Sequence, residues 1–300
     1  MQGLLLLNKP KGITSFSAVS AVKRKASEKR VGHTGTLDPD ATGVLPVLLG
    51  RATALSSLML DADKKYTARV KLGITTDSDD ISGNVISKKT VNVTKERLYD
   101  ALEHFKGKIT QTPPMYSAIT KDGVRLYKLA REGKRVEIPK REVEIFGITL
   151  LSEPNEDNEF QIETHVSKGT YIRSLARDIG EYLGCGATLT ALERTFSSGF
   201  GLEECIDLDD ISAENISDYV LSEEKAVEYL PKIEVSEKQA IRFCNGGQLG
   251  FDRLKQKNFE PNALNRVRCN GLFLGIGIAD CEKEQIAIKC IINYPKGEGK

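Results

Sequence analysis

The chain has 300 residues, 40% of them hydrophobic and 28% charged, with a net charge of +1. Domains usually run to roughly 100–200 residues, so this length favours one large domain with a smaller one, and the composition lies far from the polar, highly charged chains that stay disordered. The longest stretch without a charge is the twelve residues Ile109–Thr120, which contains Pro113 and Pro114; a membrane helix needs about 20 apolar residues, so none is expected.

In chain order, Leu4–Leu7 reads as a buried strand. It is too short for a secretory signal and has no basic residue before it, so a cytoplasmic protein is expected. Thr14–Ala26 follows as a helix capped by Thr14 or Ser15. Ala52–Leu60 predicts a second helix and Lys65–Leu72 alternates as a strand. Thr94–Phe105 sets Leu98, Leu102 and Phe105 on one side of an amphipathic helix. Arg141–Leu151 and Phe160–Val166 read as strands, Tyr171–Leu183 as a helix and Ala187–Phe196 as a strand. Gly199–Glu228 carries short helices and leads through Pro231 into a tail containing Arg266–Arg268, a glycine-spaced strand Leu272–Ile278 and Gln285–Ile292. This tail reads as a small β-rich module. The order predicts an α+β fold, with one domain over residues 1–232 and a second over 233–300.

The net charge conceals a division. Gly199–Val235 holds eleven acids against Lys225 and Lys232, a net −9, so the other residues carry +10. Among these, Lys121–Arg141 has eight bases and three acids, a local +5. Such a surface suits a polyanion, although a solvated helix face has the same pattern. The six cysteines form no Cys-x-x-Cys pair and the three histidines lie far apart. Neither a disulfide framework nor a metal site is expected, and the thiols should be reduced and mostly in the core.

Val31–Pro46 is the least ordinary stretch, with three glycines and two prolines in sixteen residues. Asp38 lies in its middle, biased towards extended backbone by Pro39 and flanked by Leu37, Val44 and Leu45. A buried carboxylate needs a cation or a raised pKa, and both serve catalysis; a turn aspartate capping a helix is the plainer reading. The stretch lacks the Gly-Lys-Ser/Thr ending of a phosphate-binding loop. In His165–Asp178 a strand ends at Ser167, a turn uses Gly169 and a helix begins near Thr170 or Tyr171. Its first N–H groups and Arg173 then suit an anion, either a substrate phosphate or Asp38, unless Arg173 is simply a surface arginine. If the guanidinium meets Asp38, its charge should outweigh desolvation and hold the carboxyl low.

Five segments together point to a family: Asn8-Lys9-Pro10-Lys11-Gly12-Ile13-Thr14-Ser15, Gly32-His33-Thr34-Gly35-Thr36-Leu37-Asp38-Pro39, Lys65-Tyr66, Pro113-Pro114-Met115-Tyr116-Ser117-Ala118 and Ser167-Lys168-Gly169-Thr170-Tyr171-Ile172-Arg173. In this order they closely resemble the bacterial tRNA pseudouridine synthases of the TruB type, over about residues 3–200. The tail is similar, more weakly, to their small PUA-like domain. Ser17 departs from the aspartate common in the family at that place. The resemblance implies a pseudouridine synthase fold, a mixed and mainly antiparallel sheet flanked by helices, and an isomerase acting on the uridine at position 55 in the TΨC loop of tRNA. It makes Asp38 the catalytic aspartate, Tyr66 the residue that stacks on the target base and Arg173 the partner of Asp38. His33 matches the histidine facing the disrupted loop, Lys9 a buttress of the site and Leu192 an apolar wall beside the base. The isomerisation changes neither oxidation state nor atom count, so no cofactor is expected, nor an obligate protein partner or an oligomer. Two other readings fit the residues: a non-catalytic tRNA-binding protein, which has no need of Asp38, and a nucleoside or glycoside hydrolase, which would release free uracil.

Overall fold

The computed structural model describes residues 1–116, 120–121, 124–125 and 138–295. Most of the basic stretch Lys121–Arg141 therefore lies outside the described residues, as do Ser117 and Ala118. The strand Gly3–Lys9 is apolar at successive positions because both its faces are covered. Leu5 and Leu7 pack with Ala18, Val19 and Val22 of the helix Ser15–Lys25, while Leu4 and Leu6 pack with Met59 and with Phe273, Ile276 and Ile292 of the tail. Gly3–Lys9 pairs antiparallel with Thr42–Leu49, and the large sheet continues through Ala187–Ser197, Lys64–Leu72, Glu159–Val166, Arg141–Ser152 and Gly107–Gln111. Its parallel pairings are Thr42–Gly43 with Glu193–Arg194 and Leu7–Asn8 with Ile206–Asp207. The helices Lys95–His104 and Ile172–Leu183 lay Leu98, Leu102, Leu175 and Ile179 onto Ala68, Val70, Phe160 and Ile162. This is the mixed, mainly antiparallel α+β fold that the sequence predicts.

A five-stranded sheet of Lys232–Glu234, Leu264–Cys269, Leu272–Asp280, Gln285–Ile291 and Leu249–Gly250 forms the tail. Its first strand straddles residues 232 and 233. Glu224 in the acidic stretch meets Arg266 at 2.9 Å and Arg268 at 3.4 Å, so part of the −9 segment is neutralised by the tail.

Several elements depart from the sequence pattern. Pro46 argues against a strand at Thr42–Leu49, yet it falls where one neighbour gives way to another. Thr42–Gly43 pair with Glu193–Arg194 and Val47–Leu49 with Val31–His33, and between them Pro46, which has no N–H to give, only accepts, from Thr34 N at 3.1 Å. The expected helix Ala52–Leu60 starts as a 3-10 turn, Gly50–Leu55, before the α-helix Ser56–Leu60. Gly50 has φ +62° and Thr53 Oγ1 donates to Gly50 O at 2.8 Å, which tightens that turn. In the tail, Ser236 and Gln239 form a capping box that starts the helix Glu237–Cys244. All six cysteines are free, but only Cys185, Cys244 and Cys269 are buried, fewer than expected.

Candidate active site

Thr14, not Ser15, caps the first helix, accepting from Ser17 N at 3.0 Å, and the Ser17 hydroxyl, where the family commonly has aspartate, lies 2.8 Å from Thr14 Oγ1. Ser15 is turned inward, where its hydroxyl donates to Leu37 O at 3.0 Å and accepts from Leu37 N at 2.9 Å. Lys9 is fully buried and donates to Pro10 O, Ile13 O and Pro39 O at 2.7, 2.8 and 3.1 Å. Burial lowers its pKa to about 8, while three carbonyl acceptors hold the ammonium in place. Further along, Arg194 is 1% exposed and donates through Nε to Val44 O at 2.7 Å and through Nη2 to Gly35 O at 3.1 Å. The backbone on both sides of Asp38 is fixed by groups distant in sequence.

The Asp38 carboxylate receives Arg173 side-on, Nε to Oδ2 at 3.0 Å and Nη2 to Oδ1 at 3.3 Å. Arg173 also donates through Nη1 to Ser78 O at 3.2 Å and Asp80 Oδ2 at 3.4 Å, and through Nη2 to Tyr116 O at 2.9 Å. The Arg173 side chain is 6% exposed and that of Asp38 43%. Arg173 is therefore no surface arginine, and of the two anions expected near it the structure supplies Asp38. The asymmetry matters chemically, because the cation is sealed while the carboxylate faces the cleft with unshared lone pairs. Burial raises the Asp38 carboxyl above its ordinary value; Arg173 opposes this and Asp80 adds to it. Desolvation outweighs the guanidinium, the reverse of the expected balance, and the negative charges of Asp80 and Asp40 add to it. Asp80 is rigid, its Oδ1 accepting from Ser78 Oγ, Ser82 Oγ and Ser82 N at 2.8, 2.6 and 3.1 Å.

Asp38 sits in a cleft of about 1110 Å³ that Tyr66, Leu192, His33, Lys64 and Arg194 also line. Tyr66 stands opposite Thr164 on one side and Arg194 on the other, and Leu192 opposite Ala68, so Leu192 is a half-buried wall near the tyrosine. His33 ends the short strand Val31–His33; burial and Arg194 lower its pKa, and its Nδ1 is buried without a partner. The structure thus brings Asp38, Arg173, Tyr66, His33 and Leu192 to one cleft and places Lys9 behind the loop.

Comparison with known proteins finds similarity over nearly the whole chain. The TruB family pseudouridylate synthase N-terminal domain matches residues 23–172, and the tRNA pseudouridylate synthase B C-terminal domain matches residues 173–233. A Clostridium perfringens protein named tRNA pseudouridine synthase B is 43% identical over 282 residues, 93% of this chain and 96% of that one. A Dehalococcoides mccartyi protein of the same name is 45% identical over 281 residues, 92% of each chain. The chain belongs to the TruB family of pseudouridine synthases. The enzyme is an isomerase that converts uridine to pseudouridine. Its fold is shared with a chain in a solved Cbf5-Nop10-Gar1 complex, with a TM-score of 0.76 and 26% identity over 97% of this chain and 85% of that one.

The enzyme's motifs do not announce Lys64, Asp80 or Arg194 as site residues, and Ser15 lay in one of them without a role in the site. Arg194 had one available signal. It lies two residues from Leu192 in a predicted strand, and period-two alternation places both on one face. Asp80 had none, since Asp77–Asp80 reads as a polar turn.

Proposed function

We propose that the enzyme converts the uridine at position 55 in the TΨC loop of tRNA to pseudouridine, with Asp38 as nucleophile and without a cofactor. The N1–C1′ bond breaks, the uracil turns within the cleft, C5 bonds to C1′, and the C5 proton is lost as N1 gains one. Asp38 supplies the electron pair that frees the base, a role carboxylates play at other glycosidic bonds. The observation that carries this reading is the open Asp38 carboxylate held side-on by a sealed Arg173. Extruding the uridine from its stack takes a few kcal/mol, and stacking on Tyr66 returns about 1–3 kcal/mol. Lys9, Ser15 and Arg194 keep the loop from yielding as the base turns. The tail, residues 233–300, acts as a PUA-like RNA-binding domain, and the enzyme works as a cytoplasmic monomer. Incubating purified protein with unmodified tRNA and mapping pseudouridine tests this reading. A single modified uridine in the T loop is expected; free uracil, or no modification, would refute it.

A further inference from the structure

Two cations in the cleft have no carboxylate within salt-bridge distance among the described residues. Lys64 is 8% exposed; its Nζ donates to Leu60 O at 3.3 Å and Ala62 O at 2.5 Å, leaving a third N–H. Arg194 uses Nε and Nη2 on Val44 O and Gly35 O, and Nη1 has no acceptor among the described residues. That nitrogen is not completely buried, and both side chains line the cleft of Asp38.

The two converge on Gly35. A methyl group on its Cα would lie 3.3 Å from Arg194 Nη1 and 3.6 Å from Lys64 Cε. The glycine keeps clear a gap flanked by both positive groups. Burial first and Arg194 second lower the Lys64 pKa to about 8, more than the charges of Asp63 and Asp61 raise it. Buried cations without a counter-charge are unfavourable unless an anion joins them. Lysine and arginine offer donors only, which excludes a base edge that must also donate.

We infer that Lys64 and Arg194, meeting over Gly35, hold one backbone phosphate of the substrate RNA beside the nucleotide that enters the cleft. The inference rests on the reading of this cleft as an RNA site. Asp38 repels a phosphate from its own position, and the gap over Gly35 gives the backbone a place apart from that carboxylate. Burial first and Arg194 second lower the His33 pKa, which works against a third cation beside the gap.

The test titrates the full-length enzyme with a T-arm stem-loop that already carries pseudouridine, so that no turnover intervenes. Each phosphate contact contributes roughly 0.7–0.9 to the slope of log Kd against log salt. Lys64→Gln should lower the slope by about that amount and weaken binding about tenfold at low salt, and Lys64→Arg should restore the slope. A neutral methylphosphonate placed in turn at the phosphates around the modified nucleotide should weaken wild-type binding at one position and weaken Lys64→Gln less there, since only Arg194 then remains to lose its contact. An unchanged slope, or equal methylphosphonate losses in both proteins, overturns the inference. If Lys64→Gln does not fold, the scan on wild type decides, and the lack of any sensitive position overturns it. Pseudouridine formation by wild type on the unmodified stem-loop is measured alongside. Its absence refutes the reading of the site, whereas its presence with an unchanged slope refutes the phosphate contact alone.

Discussion

Arg173 and Arg194 are buried to nearly the same degree, 5% and 1% exposed, and line one cleft, but they keep different company. Arg173 lies between the carboxylates of Asp38 and Asp80, whereas Arg194 meets carbonyls and stands near Lys64. The first arrangement cancels charge and fixes the angle of a carboxylate. The second leaves charge uncancelled and fixes a backbone. One cleft thus has an acidic part suited to attacking a sugar or base and a basic part suited to holding a phosphodiester. Burial alone says little about what an arginine does; its partners decide.

The largest effect is expected where the acidic part loses its anion. Asp38→Asn should abolish pseudouridine formation while tRNA binding stays within about tenfold, because the amide keeps the shape without the nucleophile. Turnover near the wild-type rate would end the comparison at once. Arg173→Met comes next, since it leaves Asp38 and Asp80 without their shared cation. Unfolding free energy should fall by about 3 kcal/mol, the low end for a broken buried pair because Asp38 is partly solvated. Removing the opposing charge lifts the Asp38 carboxyl further, so single-turnover activity that remains should rise with pH. A flat pH–rate profile would contradict this. Arg173→Lys retains the charge without the fork and should lose rate with little change in affinity.

Arg194→Met should do less to the chemistry and more to the loop. It leaves the carbonyls of Gly35 and Val44 unpaired, for a loss of about 2 kcal/mol in denaturant unfolding. It also removes a charge that holds the His33 pKa below 6.5. In wild type the unfolded chain takes up this proton before the folded one, so stability falls as pH drops through 6.5 towards the lower folded value. NMR titration should show the His33 pKa rising in the variant and this acid loss shrinking. An unmoved His33 would separate Arg194 from the field of the cleft.

The acidic part was legible in sequence and the basic part was not. Asp38 stands in a stretch unusually dense in glycine and proline, and Arg173 follows a strand–turn–helix junction that directs it at an anion. Those signals are local. Arg194 and Lys64 act on Gly35 from far away in the chain, and their acceptors are carbonyls, which carry no side-chain signature. Asp80 depends on a turn whose serines look like ordinary loop residues. Many strands and helices followed from periodicity, but Val31–His33, Thr42–Leu49, Gly107–Gln111 and the tail helix Glu237–Cys244 did not; at Thr42–Leu49 Pro46 hid a strand whose Val44 O takes its hydrogen bond from Arg194. Most of Lys121–Arg141, the strongest basic signal in the sequence, lies outside the described residues.

The smallest effect comes from a single methyl group. Gly35 has φ +87° and Gly12 φ +88°, so alanine at either position meets the same left-handed backbone penalty of about 1–2 kcal/mol. Their surroundings differ: nothing lies within 4 Å of a methyl group at Gly12, whereas at Gly35 it presses on Arg194 Nη1 and Lys64 Cε. Gly12→Ala therefore reports backbone strain alone, and Gly35→Ala reports strain plus a narrowed gap between the two cations. Both variants should lose similar stability. Only Gly35→Ala should bind the stem-loop several-fold more weakly, with a shallower salt dependence, because its methyl occupies the space into which a phosphate oxygen would enter. Equal losses of RNA affinity in the two variants would mean that the space over Gly35 belongs to the loop's conformation and not to the substrate.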